Sequence, residues 1–208
     1  MTGKPSGMLS KLADFGHGDT TSAHYDAWAE QYDADLLGEF GYSGHVIAAA
    51  AMAEACQDRR AALIDVGCGT GLVGVELAKH GFQTIDGIDI APEMLAKSRE
   101  RGIYRGLFEG DLNATTSIAD AVYDAAVCAG SFAPGHLAPL ALREIIRMVR
   151  PGGVIVVFMN GAPFVADDYA GFITRLADEG LWRVGRIEAM NYMSALDRPG
   201  RLIVAERC

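Results

Sequence analysis

Apolar residues in this chain fall into short continuous runs separated by stretches with helical spacing. Leu63, Ile64 and Val66 form the first run, which ends in Gly67-Cys68-Gly69-Thr70-Gly71, with three glycines on alternate positions. Leu72, Val73, Val75, Leu77 and Ala78 then follow a helical pattern as far as Gly81, a residue type that ends helices. Residues 84–89 read as a second strand, and Pro92 opens a helix over 92–101 that Gly102 closes. Leu107 and Phe108 mark a weaker third strand ending near Asp111, and residues 124–129 a fourth, apolar enough to be central. A helix is expected over 139–150, with Leu142, Ile145, Ile146 and Val149 on one face. Pro151-Gly152-Gly153 reads as a turn and 154–158 as a buried β-branched strand. A helix over 164–179 precedes two strands, 182–193 and 201–207, whose joint at Pro199-Gly200 suggests an antiparallel hairpin. Strands that alternate with helices in this way predict a doubly wound α/β fold, with crossover helices joining parallel strands.

The chain has 208 residues, half of them apolar, which suits one domain around one core. Residues 1–22 form a polar N-terminal stretch that need not be ordered, 23–60 a helical cap, and 61–208 the α/β domain. The cap is read from Tyr25, Trp28, Ala29, Tyr32 and Leu36 at helical spacing. The start lacks a charged-then-apolar signal pattern, and no stretch reaches the roughly 18 apolar residues that span a membrane. A cytoplasmic protein with no membrane partner is therefore expected. Cys56, Cys68, Cys128 and Cys208 stand 12, 60 and 80 positions apart, which matches neither a zinc site nor a compact disulfide framework, so free thiols and no metal are expected. A net charge of −9 opposes a phosphate backbone, which argues against nucleic acid as a partner.

Glycines at a strand end let a ligand approach bare backbone, because glycine reaches positive φ without steric cost. The helix that follows would set its N-terminus beside the loop, an arrangement suited to a nucleotide-type cofactor. Gly69, Gly71 and Gly74 also fit the dinucleotide pattern G-x-G-x-x-G, with Asp89 twenty residues beyond Gly69. Against that ligand, the cluster begins earlier, at Gly67, and Asp65 lies inside the preceding strand.

Three blocks carry a more specific likeness: Tyr25-Asp26-x-Trp28-Ala29-x-x-Tyr32-Asp33, the run from Leu63 through Val73, and Gly87-Ile88-Asp89-Ile90-Ala91-Pro92-Glu93-Met94-Leu95. Together they resemble the class I S-adenosylmethionine (SAM) dependent methyltransferases, and within these the small methyltransferase-like proteins of the Williams–Beuren region type. The resemblance implies a Rossmann-like, seven-stranded, mostly parallel sheet with an antiparallel C-terminal hairpin. It also implies SAM as cofactor, held along the Gly67, Cys68, Gly69, Gly71 and Leu72 loop. Asp89 would take the ribose hydroxyls, Ile90 and Met94 would flank the adenine, and Asp111 with the Leu112 N–H would meet its edge. Asp65 would order the loop or meet the ammonium end, and Cys128 and Ala129 would lie near the methionine moiety. Tyr25 and Tyr32 would close over that end, with the Tyr32 ring face near the sulfonium.

Methyl transfer from a sulfonium needs chiefly proximity and orientation, and a base only where the acceptor must lose a proton. His136, in the loop after the fourth strand, is the candidate base, with Tyr32 the other catalytic candidate. The chain lacks the Asn/Asp-Pro-Pro-aromatic and Pro-Cys signatures of nucleobase methylation. Tyr32, Tyr42, Phe132, Pro134, His136 and Leu137 are expected as an uncharged acceptor wall, which suits a small molecule. Two alternatives stand beside this reading. One is a non-catalytic SAM-binding module. The other is a nicotinamide-dependent oxidoreductase, for which no catalytic Tyr-Lys pair is apparent.

Overall fold

A computed structural model describes residues 19–39, 41–132, 136–166, 168–194 and 199–208. Its sheet contains β1 (Ala62–Val66), β2 (Thr84–Asp89), β3 (Gly106–Glu109), β4 (Tyr123–Ala129), β5 (Val149–Asn160), β6 (Trp182–Asn191) and β7 (Pro199–Arg207). Their order is β3-β2-β1-β4-β5-β7-β6. The first five run parallel, and β7 pairs antiparallel with both β5 and β6. This is the doubly wound sheet with a reversed C-terminal hairpin that the strand pattern and the resemblance imply.

Both faces of the sheet are covered, which is why its central strands read as unbroken apolar runs. Side-chain alternation divides them. Ile64, Val66, Ala126, Cys128, Ile155 and Val157 pack under α5 (Ala141–Met148) and α7 (Tyr169–Asp178). Leu63, Ala125, Val127, Val156 and Phe158 meet α2 (Gly44–Ala55) and α3 (Leu72–Lys79) on the other face.

Three expected boundaries shift. The helix over 139–150 stops at Met148, and Val149 already belongs to β5, because its partner in the ladder is Tyr123. The next pair is Ala125 with Val154, so the expected Pro151-Gly152-Gly153 turn is an irregularity inside the strand, with Gly152 at φ +77°. The helix over 164–179 is two helices, α6 (Gly161–Ala166) and α7, separated where Asp168 adopts φ +51° and accepts a hydrogen bond from the Gly171 N–H.

The segment expected as a cap takes two roles. Ala48, Ala49 and Met52 of α2 are fully buried against the sheet, so this helix is part of the main core. By contrast, α1 (Asp19–Trp28) lies against α4 (Pro92–Glu100), with Tyr25, Ala29, Tyr32, Ala91 and Met94 forming a small cluster of their own. The boundary drawn at residue 22 falls inside α1, and residues 1–18 lie outside the described part. Polar bonds complete the joint: Asp26 accepts from the Glu93 N–H (2.9 Å), capping the first turn of α4, and the Ser22 hydroxyl donates to the Ile90 carbonyl (3.2 Å). The Thr70 hydroxyl donates to Asp33 (2.5 Å), whose other oxygen pairs with Arg101.

Asp65 is fully buried in β1 and accepts a hydrogen bond from the Tyr104 hydroxyl at 2.6 Å. Burial pushes its carboxyl up to about 7, although the Tyr104 bond pulls the other way. In the unfolded chain an aspartate titrates near about 4, so between about pH 4 and 7 the native state binds more protons than the unfolded one. The stability tied to this group is therefore complete below that window and lost as pH rises through it. Asp65→Asn removes the titration and keeps an acceptor for Tyr104. Urea unfolding should show the variant gaining up to about 4 kcal/mol relative to the parent between pH 4 and pH 8. Parallel profiles would show that Asp65 is not the titrating group.

Candidate functional site

The chain leaves β1 for β2 and β3 on one side and returns to β4 on the other, so a crevice opens between the carboxyl ends of β1 and β4. The glycine loop fills its floor with backbone. Gly67, Gly69 and Gly71 have φ of +67°, +52° and +88°, and the N–H groups of Gly67 and Cys68 both donate to the Ile88 carbonyl, at 2.8 and 3.0 Å. A Cβ on Gly67 would lie 2.1 Å from the Ser131 hydroxyl oxygen, whereas one on Gly69 would project into space empty to 4 Å. The first glycine admits the β4 loop, and the second keeps the floor bare.

Above this floor is a cleft of about 720 Å³, counting the open solvent at its mouth. Asp89, at the tip of β2, accepts from the Gly69 N–H (2.8 Å) on one oxygen and from the Ala91 N–H (3.0 Å) on the other. Burial raises its pKa, and these backbone bonds oppose the rise. Ile90 and Met94 continue the wall from β2 into α4, Gly110 to Asn113 form the turn after β3, and Ala129 to Ser131 the exit from β4. Tyr25, Tyr32, His136 and Leu137 enclose the remaining side.

Eleven of the expected site residues line this cleft: Tyr25, Tyr32, Gly67, Gly69, Asp89, Ile90, Met94, Asp111, Leu112, Ala129 and His136. Five do not. Asp65 turns to Tyr104 behind the loop. Cys68 is buried with its sulfur 3.9 Å from the Ser98 hydroxyl oxygen, and Gly71 and Leu72 form the start of α3. Cys128 is fully buried on the α5 side, because alternation along β4 sends it to the face opposite that of its neighbours Val127 and Ala129. Burial raises the pKa of both thiols, which keeps them protonated.

The expected acceptor wall changes too. Phe132 is fully buried, edge-on to Tyr169, and Tyr42 stacks on His45 with its hydroxyl behind Gly130, 2.9 Å from where a Cβ would stand. Pro134 lies outside the described residues. Gly110 and Asn113 line the cleft without having been singled out in the sequence. Only the Asp111-x-Asn113 spacing hinted at the second, since an aspartate side chain can accept from the N–H two residues on, as it does here at 2.8 Å.

Tyr25 and His136 come from elements 111 positions apart, yet the phenol oxygen lies 2.6 Å from the imidazole Nε2. Burial, then the neighbouring Tyr32 and Asp89, raise the Tyr25 pKa, so it stays a phenol, and the tautomer of the ring sets which partner donates. Tyr32 packs edge-on to Tyr25 at 5.9 Å between centroids, and burial raises its pKa as well. The cleft therefore joins a carboxylate-and-backbone end to an aromatic end that carries one imidazole.

Residues 64–157 match the methyltransferase domain family. The chain is 31% identical over 134 residues to human methyltransferase-like protein 27, covering 63% of this chain and 54% of that protein. It is 35% identical over 136 residues to a dTDP-3-amino-3,6-dideoxy-alpha-D-glucopyranose N,N-dimethyltransferase of Streptomyces fradiae, covering 62% of this chain and 51% of that enzyme. The matched stretches thus span about half the length of these curated relatives. Among solved structures, the [4+2]-cyclase SpnF superposes with a TM-score of 0.69 over 93% of this chain and 97% of its own, at 18% identity, a likeness of fold alone. The domain match over residues 64–157, the sheet order and the glycine floor agree: the chain has the fold of the SAM-dependent methyltransferases, and this stretch carries the sequence pattern of a methyltransferase domain.

Proposed function

We propose that the chain binds SAM in this cleft and passes its methyl group to a small-molecule acceptor by in-line displacement. The observation that carries the reading is the continuity of one cleft from the Gly69–Asp89 bond at one end to the Tyr25–His136 pair at the other. Each Asp89 oxygen spends one lone pair on a backbone N–H and keeps another for a ribose hydroxyl. Ile90 and Met94 flank the adenine, whose amino group Asp111 accepts while the Leu112 N–H meets the ring. When bound, SAM supplies a methyl group on a sulfonium that is already a good leaving group. Tyr32 turns an aromatic face to that positive charge. His136 accepts the proton of a hydroxyl or carbon-acid acceptor, and α1 excludes water.

Several features support a small acceptor. The aromatic end is walled by Tyr25, Tyr32, Ser131, His136 and Leu137, which are apolar or neutral apart from one imidazole. The Streptomyces relative is named for a sugar-nucleotide substrate. The net charge of −9 disfavours nucleic acid, and among the described residues no helix is long and apolar enough to cross a membrane.

Calorimetric titration should show SAM and its demethylated product binding more tightly than NAD; the reverse order would overturn the cofactor placement. Asp89→Ala should weaken SAM binding by about 10-fold or more, since each charge-assisted bond is worth roughly 1.5–3 kcal/mol. An unchanged affinity in a protein with a native circular dichroism spectrum would show that Asp89 is not the ribose ligand.

Release of the demethylated product should be seen with metabolite extracts and not with tRNA or whole protein. Methylation confined to a macromolecule would refute the small-molecule reading. With a hydroxyl or carbon-acid acceptor, His136→Ala should lower turnover by roughly 10²–10⁴. Undiminished turnover would remove His136 as the base.

A further inference from the structure

We propose that Asn113 is a positioning residue that ties occupancy of the adenine turn to the placement of His136 at the acceptor end of the cleft. The inference rests on the reading of Asp111 as the adenine ligand. It starts from one side chain that joins two loops. The Asn113 backbone N–H is held by Asp111 at 2.8 Å, so its place in the turn depends on the carboxylate assigned to the adenine. Its side-chain amide crosses to the segment after β4: Nδ2 donates to the His136 carbonyl at 3.2 Å, and Oδ1 accepts from the Ala138 N–H at 2.8 Å. His136 in turn meets the Tyr25 hydroxyl of α1. A hydrogen-bonded path therefore runs from Asp111 through Asn113 and His136 to the cap.

The chemistry of the bridge requires an amide. The His136 carbonyl needs a donor and the Ala138 N–H an acceptor, and among side chains of this length only asparagine offers both in one plane. Aspartate would keep the acceptor and set its second oxygen against a carbonyl. Because the two bonds share one rigid amide, movement of the turn carries the segment with it. A ligand amine that draws on the Asp111 carboxylate changes its bond to the Asn113 N–H, and bonds in such chains polarise one another. The same segment has a second tether, from the Tyr169 hydroxyl of α7 to the Leu137 carbonyl, which does not pass through the adenine turn. That second tether allows the role of Asn113 to be separated from general loosening of the loop.

Adenosine is the probe, because it fills the adenine and ribose positions and carries no methionine arm to touch His136. In protein labelled with ¹³C and ¹⁵N in its histidine rings, with the His136 signals assigned through His136→Gln, saturating adenosine should shift the His136 ring resonances. The shift should fall by about 5-fold or more in both Asn113→Ala and Asn113→Asp, and persist in Tyr169→Phe. Calorimetry on each variant keeps the possible failures apart. If adenosine does not bind the parent protein, the adenine assignment fails and the inference falls with it. If it binds without moving His136, or moves it equally in the Asn113 variants, the coupling is refuted while the cofactor site stands. Loss of the shift in Tyr169→Phe as well would reduce the effect to loop loosening. Loss of adenosine binding in both Asn113 variants, with their folds intact, would make Asn113 a ligand contact and also overturn the positioning role.

Discussion

The bond from the Gly69 N–H to the Asp89 carboxylate holds the glycine loop to the tip of β2, and the functional face is arranged around it. A loop with positive φ at alternate residues gains little order from local structure, because glycine loses more backbone freedom on folding than any other residue. Here the loop is held from outside. The Ile88 carbonyl takes two of its N–H groups, Asp89 takes a third, and the Ser98 hydroxyl donates to the Gly69 carbonyl at 2.7 Å. All three partners lie on β2 or α4, so the floor of the cleft is only as well defined as the register that sets β2 beside β1.

The cap is attached by the same logic. Its apolar contacts with α4 are few, and the acidic residues of the tyrosine-rich block supply the rest: Asp26 satisfies an open N–H at the start of α4, while Asp33 bridges Thr70 and Arg101. Asp26 thus binds the start of α4, and Asp33 binds the glycine loop and the end of α4. The element that shields the cleft is therefore fastened to the parts a ligand would order.

The fold leaves the chemistry to a small part of the chain. The [4+2]-cyclase SpnF shares the architecture, so the sheet alone does not choose the reaction. The material that walls the aromatic end is what remains to choose it. In this chain that material is α1, the segment from His136 to Ala138, and the side chains of Asn113 and Tyr169, which hold the segment.

The amino-acid sequence by itself determined the sheet, the glycine floor and most of the cleft wall. These depend on short-range patterns: apolar runs of strand length, glycines where positive φ is needed, and Asp89 and Asp111 at strand ends. Strand alternation, equally local, was not enough to place Cys128, because which face of β4 looks toward the cleft depends on its neighbours in the sheet. The break in the helix over 164–179 is also hidden from apolar spacing, since Asp168 takes the left-handed conformation there and caps α7 through the Gly171 N–H. Only the tertiary structure decided that α2 joins the core while α1 covers the cleft, that Asp65 turns to Tyr104, and that Tyr25 meets His136 across 111 positions. Such pairings join residues whose spacing carries no period, so they come into being only when the chain closes on itself.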